Sequence, residues 1–332
     1  MYQRSQQIQT LTHNEISKGV ATEVFGGSGS RFLLLVGLIV VLSFIAPNFL
    51  SLNNFINVFR QASLLLIMSI GMTLVILTGR GGIDLSIGSV LALSSCMAAS
   101  ALKAGLPVTV SIIIGLSIGA LCGLVNGALV TMVGLPAFIA TFGMMQIARG
   151  AVLLYMKGAI IYGFSPAFRF IGAGHLFGLP MPVIVAGVLF AVFTFVLYRT
   201  PFGKEVYAIG ANRIAAELSG VRVNRVLLTV YTISGAMAAC AGLVYISRLN
   251  AAESVIGQLF ELQAIAATVI GGTSFRGGEG GLIGTIAGAL IITFLNNGMN
   301  LLGISSLWQL FVLGSVIVSG VTFDMYFWHR SR

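Results

Sequence analysis

The chain has 332 residues, of which 57% are hydrophobic and only 8% charged, and its formal net charge is +9. A soluble domain carries about 25% charged residues, so this composition cannot cover a water-facing surface. Apolar segments of about 18 or more residues recur, which predicts an all-α polytopic membrane protein with lipid as its main solvent. Lysine and arginine concentrate in predicted loops and tails, a placement the positive-inside rule explains, so no nucleic-acid partner is expected. Cys96, Cys122 and Cys240 sit in apolar segments and read as small packing residues. His13, His175 and His329 are far apart, with no metal-ligand spacing and no catalytic set around them.

In chain order, residues 1–31 read as a polar cytoplasmic tail and not a secretory signal peptide, because no apolar core precedes a small-residue cleavage site. Residues 32–46 open the membrane domain, which runs to 328. Residues 51–61 are amphipathic, with Leu52, Phe55, Ile56 and Phe59 on one face, and are expected to lie along the interface. Further spans are predicted at 62–78, 82–102, 108–133, 137–156, 181–198, 226–246, 281–302 and 307–328. Residues 263–272 are apolar but too short to cross a core of about 30 Å as a straight helix. With the glycine-rich stretch after them, they predict a broken or re-entrant segment near 263–281. Residues 157–179 form a mixed loop, and 329–332 a short basic tail.

Parity checks the topology. Both tails and the basic loop 199–225 belong inside the cell, and about ten transmembrane helices satisfy that, whereas nine do not. The loop 199–225 contains a short helical stretch. Asn212 is a ready N-cap, Ile214, Ala215 and Leu218 share a face with Ala216 and Glu217 between them, and Ser219-Gly220 is a natural stop. Two readings stand open for it, a docking helix and a solvated loop.

Four features could carry chemistry. The first is the segment Gly81-Gly82-Ile83-Asp84-Leu85-Ser86-Ile87-Gly88-Ser89. An acid costs about 2.5–3.5 kcal/mol at the centre of a membrane helix and less at its end. Asp84 and Ser86 read either as an N-terminal cap or as a gate in the translocation pathway. The second is the glycine repeat at 115, 119, 123 and 127, a seam for close helix packing, with Asn126 beside it as the polar residue of interest. The third is the glycine-rich run 271–281, which lacks the Lys-Ser/Thr of a phosphate loop and so does not predict nucleotide binding. The fourth is the amide set Asn296, Asn297 and Gln309, able to meet a hydroxyl-rich solute or to glue helices together.

These motifs resemble the membrane-spanning permease subunit of bacterial ATP-binding-cassette importers for ribose and related monosaccharides. The resemblance covers roughly residues 32–327. It rests on Asn48-Phe49-Leu50-Ser51-Leu52-Asn53-Asn54, on the 81–89 segment, and on Thr200-Pro201-Phe202-Gly203 through Ala208-Ile209-Gly210-Ala211-Asn212. It continues through Ala215-Ala216, Leu218-Ser219-Gly220, Glu261-Leu262-Gln263-Ala264-Ile265-Ala266-Ala267 and Gly271-Gly272-Thr273-Ser274, with Asn297-Gly298 beyond. The usual family pattern is Thr-Gly-Gly-Ile-Asp, and here Arg80-Gly81 stands where that pattern is shorter.

The resemblance implies a subunit of the inner membrane with no enzymatic activity and no cofactor of its own. It implies partner ATPases that bind ATP and Mg, a second permease subunit (identical or a paralogue) and a periplasmic sugar-binding protein. It also makes 212–220 the coupling helix. Transport is then by alternating access. The competing class is an ion-coupled secondary transporter of a small polar solute, for which Asp84 and Asp324 are the candidate intramembrane acids, neither with an evident basic partner.

Overall fold

The computed structural model describes residues 29–79 and 81–330. The tail expected at 1–31 falls almost wholly outside the described residues, as do Arg80 and the last two residues. The fold is helical. Helix α1 spans Gly29–Ile45. It is followed by α2 (Leu52–Leu77), α3 (Ile87–Lys103), α4 (Val108–Ala128, ending in a π turn), α5 (Ala137–Met156), α6 (Pro166–Ala173) and α7 (Met181–Arg199). The second half holds α8 (Pro201–Ala211), α9 (Arg213–Leu218), α10 (Val223–Leu249), α11 (Phe260–Ile270), α12 (Leu282–Leu301) and α13 (Ser306–Arg330). Six of these (α2, α4, α5, α7, α10 and α12) are long and apolar enough to cross a membrane, while α1, α3, α11 and the 306–319 part of α13 are apolar but shorter.

Burial sorts the long helices into two layers. Within the most apolar stretch of each, 83% of α2 and 67% of both α10 and α12 lie inside the protein, against 17% of α7 and 22% of α4. Apolar side chains gain nothing by leaving lipid for protein, so close backbone packing and hydrogen bonds must hold the inner layer together. The glycine seam of α4 supplies the first. A Cβ at Gly119 would stand 2.5 Å from both Ala239 Cβ and the Gly235 carbonyl of α10. Gly123 lies against Tyr231 and Thr232 in the same way, so the α4–α10 contact needs these positions empty.

Four local expectations change. Residues 51–61 do not lie apart at an interface. Ser51 caps a single helix that runs unbroken to Leu77, because no glycine or proline interrupts it before Gly71 and because Asn54 and Val58 are buried. The third span is helical only from Ile87, since the left-handed backbone at Gly79 and Gly81 (φ +72° and +69°) turns the preceding segment. Helix α11 is regular across 260–270. Irregular backbone lies on both sides of it, at 253–259 and 271–281, where Gly257, Leu259, Gly272 and Gly277 are left-handed. The last helix continues to Arg330, past the expected boundary at 328.

The 157–179 loop is also ordered. Strand β1 (Ile161–Tyr162) pairs antiparallel with β4 (Ala251–Ala252), and β2 (His175–Leu176) with β3 (Leu179–Pro180). Between them α6 sits on α10 through Ser247, whose hydroxyl accepts from Gly172 N (2.8 Å) and donates to Phe168 O (2.6 Å). This cap closes one end of the bundle. The other end is formed by α8, α9, the end of α2 and the glycine-rich loop.

Candidate functional site

A buried polar centre forms where the turn 79–86 enters α3. Gly79 and Gly82 close the turn with a 2.9 Å backbone bond, and Asp84 follows with no exposed surface. Its Oδ1 accepts from Ser86 N (3.0 Å) and from Ser86 Oγ (2.6 Å), and its Oδ2 accepts from Ser234 Oγ (2.8 Å) on α10. Asn126 of α4 donates through Nδ2 to Ser86 Oγ (2.9 Å). Thr141 of α5 donates to Ile83 O (3.2 Å). Asp84, Ser86 and Asn126 are thus brought together, with Ser234 and Thr141 added by the fold. Asp84 does bond the Ser86 N–H, but the N-cap position of α3 belongs to Ser86, which makes no side-chain cap bond. Asn126 Oδ1 is buried with no hydrogen-bond partner among the described residues, the one unanswered acceptor in this centre.

Two further charges surround it. Arg149 of α5 donates to Ser254 O (2.6 Å) and Ile256 O (2.9 Å) of the irregular 253–259 backbone and to Gly88 O (3.4 Å) of α3. Glu261, 9% exposed in the first turn of α11, lies with its carboxylate against Gly88 of α3, where a Cβ would collide with its Oε2. The expectation that Asp84 and Asp324 are the intramembrane candidates is therefore incomplete. Arg149 is the one charged residue between Lys103 and Lys157, a signal visible in the sequence. The Asp324 side chain is outside the described residues.

The amides do not join this centre. Asn297 exchanges two bonds with Asn54 of α2, at 3.0 and 2.8 Å, and Asn54 Nδ2 also reaches Phe49 O (2.9 Å). The pair sits at the aromatic cluster of Phe49, Phe55 and Phe294, so it fastens α12 to α2. Asn296 is half-buried beside it. Gln309 closes the α12–α13 turn by donating to Asn300 Oδ1 (2.8 Å) and Ile304 O (3.1 Å).

At the opposite end from the cap, α9 forms as expected. Asn212 accepts from Ala215 N (3.1 Å), Ser219 donates back to Ala215 O (2.8 Å), and Gly220 is left-handed (φ +87°). Ala216 faces inward, whereas Ile214 (62% exposed), Ala215 and Leu218 (85% exposed) face out. Arg213 pairs with Glu217 at 3.2 Å along the helix. Helix α8 was not anticipated. Thr200 caps it, and its buried face is Gly203, Val206 and Ile209. Burial pushes the Tyr207 phenol above its ordinary range, so it stays a neutral donor to Gly280 O (2.8 Å).

An inner layer of packed apolar helices around a buried carboxylate is the architecture of an all-α polytopic membrane protein. A family model described as a permease component of branched-chain amino acid transport systems matches residues 54–319, and the chain belongs to this family. It is 44% identical over 299 residues to the ribose import permease protein of Haemophilus influenzae, covering 89% of this chain and 92% of that protein. The D-allose transport system permease protein of Escherichia coli is 38% identical over 303 residues, 91% of this chain and 92% of its own length. The fructose import permease protein of Rhizobium meliloti is 36% identical over 308 residues, 87% and 84% respectively. No solved structure matches the chain.

Proposed function

We propose that this chain is the membrane-spanning permease subunit of an ATP-binding-cassette importer that moves a monosaccharide across the bacterial inner membrane. The observation that carries the reading is the likeness to ribose, D-allose and fructose permeases over most of each chain. The exposed Ile214, Ala215 and Leu218 face of α9 supports it, because a solvated loop gains nothing from presenting two large apolar side chains. That face docks on a partner ATPase, which binds ATP and Mg. A second permease subunit and a periplasmic sugar-binding protein complete the importer.

All ten apolar helices cross the bilayer, with both termini and the 199–225 loop inside. The short helices α3 and α11 complete their crossings through the irregular segments 81–86 and 253–259, in which Asp84, Ser86, Ser254 and Ile256 are buried. ATP-driven closure of the ATPases moves α9 and switches the bundle between outward- and inward-open states. An Ala215→Arg substitution places a bulky charge on the docking face without touching the bundle. Co-purification with the ATPase is expected to be lost while the chain still inserts, and uptake with it. Undiminished association and uptake would overturn the docking assignment.

A further inference from the structure

We propose that a side-chain-free contact between the end of α8, the end of α2 and the 277–278 backbone carries movement of α9 into the polar centre, with Gly210 as its positioning residue. The proposal rests on the docking role of α9 given above. Helices α8 and α9 share one joint. Asn212 is the C-cap of α8, its N–H donating to Ala208 O (3.0 Å), and the N-cap of α9 through its side chain. No flexible linker separates them, so a push on α9 reaches the last turn of α8.

That turn meets two other backbones. A Cβ at Gly210 would collide with the Leu77 carbonyl and with Gly278 N, and would stand 3.0 Å from Gly277 C. A Cβ at Gly79 would come 2.5 Å from Arg276 O and 3.2 Å from Gly210 O, and one at Gly278 would come 2.8 Å from Ala211 N. Gly278 N donates to Leu77 O (3.0 Å) across the contact, and Tyr207 Oη to Gly280 O (2.8 Å) beside it. Side chains absorb small displacements by changing rotamer. Backbone in direct contact has no such freedom, so a displacement at Gly210 must move Leu77 and Gly278 with it.

Both neighbours lead to the site. From Leu77 the chain turns through Gly79 and Gly82 and reaches Asp84 seven residues on. The 271–281 loop joins α11, whose first turn holds Glu261, to α12. The same contact therefore reaches the buried carboxylate from α2 and the segment facing Arg149 from α11. Simple close packing would need the glycines but would not require the contact to move as a unit.

The test uses the complete complex reconstituted in liposomes, with whichever of D-ribose, D-allose or D-fructose the wild-type complex imports. Gly210→Ala wedges the contact apart. It is expected to keep ATPase association and ATP hydrolysis while uptake falls by about tenfold or more. Tyr207→Phe, which removes only a hydroxyl, is expected to lower uptake by a smaller factor with association intact. Wild-type uptake in Gly210→Ala, or loss of ATPase association in it, would overturn the proposal. Failure of the docking reading shows separately, as an Ala215→Arg complex that stays assembled.

Discussion

Two buried polar clusters sit in the same bundle and are built on opposite rules. The Asn54–Asn297 pair joins two regular helices, and each amide offers its partner one donor and one acceptor. The Asp84 centre draws on α3, α4, α5 and α10 and stands on a non-helical turn. It places a carboxylate under three donors yet leaves Asn126 Oδ1 unanswered. In lipid, a reciprocated amide pair is a fastener worth about 0.6–2 kcal/mol per bond. A buried acid beside an unanswered amide oxygen costs free energy that a fastener would not, and this is what motivates testing the centre for a role in transport. Interatomic completeness, more than polarity, separates the two.

The largest expected effect comes from removing the acid. Asp84→Ala strands the Ser86 N–H, the Ser86 hydroxyl and the Ser234 hydroxyl, each at a cost of about 1–3 kcal/mol when buried. Uptake is expected to fall at least about tenfold, since 1.4 kcal/mol of unfavourable displacement suffices for that. Quantified membrane levels of the variant separate lost transport from lost protein. Uptake near wild type at normal levels would reduce Asp84 to a structural cap.

A smaller effect is expected at Ser234. Ser234→Ala removes one bond to the carboxylate, worth about 1.5–3 kcal/mol, and leaves the Ser86 and Asn126 contacts standing. Uptake is expected to fall measurably but less than in Asp84→Ala, and adding Asn126→Ala to Ser234→Ala is expected to give more than the product of the two single losses. Strictly multiplicative losses would mean that Asn126 and Ser234 do not act through the same carboxylate.

The sequence showed some parts of this site and hid others for physical reasons. The apolar runs reported the long helices directly, because crossing a bilayer demands length and hydropathy together. Helix α9 was legible from its punctuation at Asn212 and Gly220. Helix α8 was not, because Gly203 and Gly210 read as breakers. In the fold they are the positions where α8 meets Leu197 and the 277–278 backbone. The turn at 79–86 was hidden because Ile83, Leu85 and Ile87 give it the hydropathy of a span. Asp84, Ser86 and Asn126 could be named in advance, but Ser234 lies 150 residues from Asp84, and nothing local distinguishes it from other serines in apolar segments. From sequence Asn297 and Asn296 read alike as pathway or fastener, and the fastener reading of Asn297 rests on its distant partner Asn54.

That choice can be tested at the smallest expected effect. Asn297→Leu leaves Asn54 Oδ1 without a donor and Asn54 Nδ2 with only its bond to Phe49 O. Stability in detergent is expected to drop by about 1–3 kcal/mol, the cost of unsatisfied buried groups. Adding Asn54→Leu removes the stranded amide and is expected to recover most of that loss, short of the bond Asn54 gave to Phe49 O. The double variant should therefore melt close to wild type and import normally, which the Asp84 centre would never allow for any pair of its members. A double variant that is folded yet inactive would move Asn297 from fastener to pathway, and would make reciprocal bonding a poor guide to which buried polar groups this bundle uses for transport.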